Sequence, residues 1–115
     1  MGTALLTLRL FADCADEPTA TLLQGALLQA LAAFQPTADA TPTRYWKIPE
    51  YFEFSFALGA AGADDYLRLQ ALSPRGWTTG GDDDDAWAVW NRAEYLAFLL
   101  PAVAWAEAQF TRRNG

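Results

Sequence analysis

Residues 4–11 alternate along the chain. Ala4, Leu6, Leu8 and Leu10 fall on one side, and Leu5, Thr7, Arg9 and Phe11 on the other. A period of two predicts a strand with one wholly apolar face. The pattern then breaks at Asp13 to Pro18, where Asp16, Glu17 and Pro18 supply the acids and proline of a helix start. Ala20, Leu23, Leu27, Leu31 and Phe34 follow at spacings of three and four, which predicts a helix with one core-facing stripe. It should stop near Gln35, because Pro36 disfavours helical dihedrals in the residue before it. Gly25 inside the helix weakens it or permits a close approach to a sheet.

The middle of the chain returns to a period of two. Pro36 to Pro42 is a polar turn segment, Arg44 to Ile48 is strand-like, and Pro49 interrupts it. Tyr51 to Leu58 is the clearest strand: Phe52, Phe54, Phe56 and Leu58 point one way, and Tyr51, Glu53, Ser55 and Ala57 the other. The two segments can pair as a hairpin with Pro49-Glu50 at the bend. Asp64 or Asp65 can cap a short helix through about Leu72, with Tyr66 and Leu69 inward. Trp77 to Thr79 reads as a short strand, Gly80 to Asp85 as an exposed turn, and Ala86 to Arg92 as a strand forming a second hairpin. Pro101 to Phe110 fits a closing helix, with Val103, Trp105, Ala106 and Phe110 as its apolar positions. The expected order is β-α-β-β-α-β-β-α. That order predicts one α+β domain over residues 1–115, with a mostly antiparallel sheet and its helices packed on one face.

Composition narrows the function classes. The chain has 115 residues, 52% hydrophobic and 19% charged, enough for one core without staples. Eight basic against 14 acidic residues give a net charge of −6, which argues against binding nucleic acid through its phosphates. There is no His, so the commonest metal ligand and every Ser-His or Cys-His pair are excluded. Cys14 is the single cysteine, which rules out an internal disulfide and multi-Cys zinc sites. Its neighbours Asp13 and Asp16 disfavour a thiolate. No glycine-rich phosphate loop precedes a Lys-bearing helix, and Glu50 with Glu53 is the one carboxylate pair worth weighing for catalysis. The expectation is a non-enzymatic protein without a cofactor or metal. The N-terminal stretch lacks a basic segment and is interrupted by Thr7 and Arg9, so it does not read as a signal peptide. No apolar run reaches the roughly 20 residues of a membrane span, and a cytoplasmic location without membrane contact is expected.

Two features suggest a binding surface. The run Asp82, Asp83, Asp84 and Asp85 concentrates charge that a basic partner or a cation would compensate, although it lacks the alternating spacing of a calcium loop. A solvated turn is the plain alternative. Five Trp is high for this length. Trp87 and Trp105 read as core, while alternation places Trp90 opposite Trp87, so one of those two is available to an interface. Tyr45 and Trp46 raise the same question.

The segments Arg44-Tyr45-Trp46-Lys47-Ile48-Pro49-Glu50-Tyr51-Phe52-Glu53-Phe54, Gly76-Trp77, Gly80-Gly81-Asp82-Asp83, Trp87-Ala88-Val89-Trp90-Asn91-Arg92 and Pro101 to Glu107 together resemble immunity proteins of bacterial polymorphic toxin systems. The resemblance covers roughly residues 44–107. It implies a small cytosolic protein without enzymatic activity, encoded beside a toxin delivered by contact-dependent or type VI secretion, whose partner is that toxin. The acidity fits a toxin with a basic site, such as a nuclease or nucleic-acid deaminase, because charge complementarity speeds association. The expected contact set is Asp82 to Asp85, Glu50 and Glu53 for charge, with Tyr45, Trp46, Trp77 and Trp90 as anchors. On this reading the Gly80–Asp85 turn caps the toxin's active-site entrance. An adaptor that binds without silencing, or a small calcium-binding module, are the alternatives.

Overall fold

A computed structural model describes residues 2–92 and 97–114. The elements are β1 (Gly2–Asp13), α1 (Glu17–Ala30), β2 (Pro36–Ala38), β3 (Thr43–Arg44), β4 (Tyr51–Leu58), α2 (Ala63–Gln70), β5 (Trp77–Gly81), β6 (Asp85–Asn91) and β7 (Val103–Asn114). A short 3-10 turn at 32–34 follows α1. The seven strands make one sheet in the order β2-β4-β1-β7-β6-β5, with β3 also paired to β4, and every pairing is antiparallel. The domain is α+β.

Alternation decides which side of each strand is buried. Leu6, Leu8 and Leu10 of β1 lie opposite Leu58, Phe56 and Phe54 of β4 on one side, and opposite Phe110, Ala108 and Ala106 of β7 on the other. All nine are buried in one cluster with Trp90 of β6. Both helices cover this face. α1 contributes Ala20 and Leu27 to the cluster, with Leu31 just past its end, and α2 contributes Tyr66 and Leu69. The Tyr66 ring stacks on Phe110 with centroids 5.7 Å apart, and its burial there raises the phenol's pKa.

The local chemistry at the helix ends matches the sequence. Asp16 caps α1, its Oδ1 accepting the Thr19 N–H at 2.9 Å, with Pro18 in the first turn. The Asp65 carboxylate accepts the Gly62 N–H at 3.0 Å at the start of α2. Gly25 does not approach the sheet; a side chain there would meet open space.

Both hairpins form. The β3–β4 turn closes through Tyr51 N–H to the Ile48 carbonyl at 2.9 Å, but β3 ends at Arg44 rather than running to Ile48. The turn segment after Pro36 donates a short edge strand, β2, to β4. In the β5–β6 hairpin, Gly81 has φ +91 and its position faces the Asp85 carbonyl, so a side chain would be both strained and blocked.

The closing helix is corrected to a strand. Val103–Asn114 is β7, and it lies between β1 and β6 in the middle of the sheet. The register slips between Phe11 and Ala12: Phe11 pairs with Trp105, but Ala12 pairs with Val103. Ala104 is therefore an extra residue, a bulge that turns both Val103 and Ala106 to the core. Buried positions 103, 106 and 110 are spaced at three and four, which imitates a helical stripe, although buried Ala108 between the last two keeps the strand's period of two. Alanine's high helix propensity adds to the imitation. Two strands waiting for a shared partner outweigh that propensity.

Candidate functional site

Among the described residues, the opposite face of the sheet carries no helix. Register assigns its rows. Thr78, Val89, Glu107, Arg9 and Ser55 run across the middle, and Gly80, Trp87, Gln109, Thr7 and Ala57 form the next row. Trp105, Phe11 and Glu53 lie near one end, and Asp85, Thr111 and Leu5 near the other. Six residues of strand separate Trp105 from Thr111, a distance of about 20 Å.

Arg9 organises the centre. Its Nε donates to Glu53 Oε1 at 2.6 Å, and Nη1 lies 3.9 Å from Glu107 Oε1. The same guanidinium sits 5.0 Å over the Phe11 ring and 5.4 Å over Trp105. One cation is thus shared by two carboxylates and two aromatic faces. Beside it is a groove of about 320 Å³, lined by Thr7, Arg9, Asp39, Ser55, Glu107 and Gln109.

Aromatic rings continue from this clamp to the sheet's end. Trp105 stacks on Phe11 with centroids 4.9 Å apart, Phe11 stacks on Tyr45 at 4.3 Å, and Tyr45 tilts against Trp46 at 6.3 Å. The run begins with half-buried Trp105 and ends with Trp46, which is 80% exposed. Lys47 Nζ lies 5.2 Å over the Trp46 ring. The chain delivers Tyr45 and Trp46 here at the end of β3: the Tyr45 N–H still donates to the Tyr51 carbonyl at 2.8 Å, and the backbone then bends at 46–48 before returning into β4.

The expected contact residues divide into three places. Tyr45, Trp46 and Glu53 meet at this end of the open face. Glu50 is exposed on a neighbouring hollow of about 480 Å³ lined by Asp13, Cys14, Ala15, Arg44, Pro49 and Glu50. Asp82 to Asp85 sit at the opposite end of the sheet, in the β5–β6 turn. Asp82 Oδ1 accepts the N–H groups of Asp84 and Asp85, both at 2.9 Å, and Asp84 pairs with Arg112 Nε at 3.2 Å. Much of this run's chemistry thus goes into closing its own turn. Among the described residues, no group of three or more Cys, Asp or Glu side chains converges as metal ligands would.

One anchor is corrected. Trp90 is fully buried, and its Nε1–H donates to Ser73 Oγ and to the Arg75 carbonyl, each at 3.0 Å. Trp77 of the edge strand points to the same side, edge-on to Phe98 at 5.2 Å with its Nε1–H donating to the Ser73 carbonyl at 3.2 Å, and it stays partly exposed. The assignment of Trp87 and Trp105 to the core is reversed as well. Trp87 is 39% exposed and lies across Gly80 on the open face, where a Gly80 side chain would collide with its ring. Trp105 shares that face with Arg9. Sequence reasoning also missed Phe11 and Arg9, although their alternation with Leu8 and Leu10 placed them opposite the core.

Cys14 is buried, and its Sγ–H donates to the Asp16 carbonyl at 3.4 Å. No described helix is long and apolar enough to cross a membrane. No family model, no curated protein and no solved structure matches this chain.

Proposed function

We propose that this protein is an immunity protein: a cytoplasmic, non-catalytic binder that holds and silences a cognate bacterial toxin. One observation carries the binding half of the reading. Among the described residues both helices pack on one face of the sheet, and the other face presents a graded run of aromatic rings beside carboxylates. Contacts rich in Trp, Tyr and Arg are those that dominate protein interfaces. The face measures about 20 Å along the strands and about 24 Å across them, and with its side chains and rims it approaches one side of a standard-size interface. The net charge of −6 favours a basic partner, as a nucleic-acid-directed toxin would be. The resemblance of residues 44–107 supplies the silencing half.

The test is co-purification with tagged full-length protein, followed by expression of the captured partner alone and together with this chain. A stoichiometric partner that is toxic alone and harmless in the pair is the expected result. A partner that binds at full stoichiometry yet stays equally toxic would replace this reading with the adaptor one.

A further inference from the structure

We infer that the Tyr45–Trp46 end of the open face is the docking surface, and that its occupant is an arginine-bearing segment of a basic protein. The inference rests on the protein-binding reading above and adds which surface is used and which side chain it receives. The first argument is charge complementarity. Glu53 and Glu107 flank the clamp with Arg9 alone between them, so the pair keeps one negative charge after internal compensation. The chain as a whole is acidic, so a basic segment is drawn toward it.

The second argument comes from Arg9 itself. Its guanidinium already occupies the environment an incoming arginine would seek, with a carboxylate at 2.6 Å and ring centroids at 5.0 and 5.4 Å. A planar guanidinium can stack on a ring while donating sideways to a carboxylate, and an ammonium cannot do both equally well. The run continues past Arg9 through Tyr45 to the exposed Trp46 ring, where the Lys47 ammonium lies 5.2 Å from the centroid and an incoming guanidinium would take its place. Trp105, Phe11 and Tyr45 are held by stacking on one another, so little ordering of these three is required when a partner arrives. At the acidic β5–β6 turn, Tyr66 and Phe110 beside Asp82 and Asp83 are buried, Trp87 lies flat across Gly80, and Asp82 and Asp84 are spent on internal contacts.

The experiment uses the full chain and three end-blocked peptides of alternating glycine with arginine, citrulline or lysine. Binding is followed through the indole N–H resonances of the five tryptophans. The arginine peptide is expected to move Trp46 and Trp105 and leave Trp90 in place. The neutral citrulline peptide should leave all five unmoved, and the lysine peptide should bind several-fold more weakly. Trp46→Ala should weaken the arginine peptide by about tenfold. Glu53→Gln should weaken it and reduce its salt dependence, whereas Asp83→Asn should not change it. An unshifted Trp90 resonance reports that each variant is folded. Equal binding of citrulline or lysine, or undiminished binding by Trp46→Ala, overturns the inference. The two proposals fail separately. A silenced toxin bound equally well by Trp46→Ala leaves the immunity reading standing and removes this surface. Arginine-selective binding at Trp46, together with a captured partner that is not silenced, does the reverse.

Discussion

The two faces of this sheet are built from the same strands and answer to different physics. On the covered face, side chains are large, apolar and interlocked: Phe52, Phe54, Phe56 and Trp90 meet leucines from β1 and both helices. On the open face, aromatic rings lie beside Arg9, Glu53 and Glu107, with a groove between them. Trp87 and Trp90 make the contrast sharpest, because they lie three residues apart on β6 and point opposite ways. One is locked by a hydrogen-bonded indole and surrounding core. The other rests on a glycine and meets solvent. Large side chains on the covered face specify the fold, and large side chains on the open face are available for contact.

The largest effect should separate those two tryptophans. Trp90→Ala removes a fully buried ring and the donor to Ser73, at a cost of about 3–5 kcal/mol in urea denaturation. Trp87→Ala should cost about 1 kcal/mol or less, because the ring is partly solvated already. Comparable losses for the two would erase the distinction between the faces.

Adjacent glycines give a smaller contrast. Gly81→Ala forces a side chain into left-handed backbone and against the Asp85 carbonyl, and should lower stability by at least about 1 kcal/mol. Gly80→Ala meets only the Trp87 ring, which can swing outward into solvent. Its melting temperature should therefore fall less than that of Gly81→Ala. An equal fall would mean that Trp87 is pinned to the open face rather than resting on it.

On the solvent side of α1, Gly25→Ala should raise stability by about 0.5–1 kcal/mol, because the position is helical and faces empty space. A loss on thermal melting would mean that something packs there. Arg9→Ala should cost less than about 1 kcal/mol of stability, as expected for a solvent-screened pair. The same change should alter the salt dependence of partner binding.

The smallest effect is in pH. The hydrogen bonds from Thr19 hold the Asp16 carboxyl below its ordinary value of 3.8. A lowered folded-state pKa contributes stability that is present above 3.8 and is lost as pH falls through the folded value. Asp16→Asn should flatten that acid limb of the stability profile and leave neutral pH almost unchanged, as read from melting curves taken across the carboxylate range.

The strands with strict alternation were legible. Tyr51 to Leu58 and the first strand carried one apolar face each, and a strand that repeats at two has one way to satisfy a core. The α1 stripe was legible at its own period: Ala20 and Leu27 are buried and Leu23 partly so, but the helix ends at Ala30 rather than near Gln35, and Leu31 and Phe34 reach the core from the cap and the 3-10 turn that follow. Of the candidate site, Tyr45, Trp46 and Glu53 were found by residue type. Phe11, Arg9 and Trp105 were not grouped with them, because they come from strands distant in sequence.

The amino-acid sequence by itself determined the α+β class, both hairpins, the acidic start of α1 at Asp16, and which face of β1 and β4 is apolar. These follow from local chemistry and from periods that a short window contains. At α2 the sequence offered Asp64 or Asp65 as the cap, whereas the cap is Gly62 with Asp65 reaching back to it. The tertiary structure alone decided that residues 103–114 form a central strand, since β1 and β6 each need a partner edge that no local preference encodes. It decided through the Ala104 bulge that buried positions three apart share a face. It also decided between Trp87 and Trp90, because alternation shows that two side chains oppose each other but not which side the helices will cover.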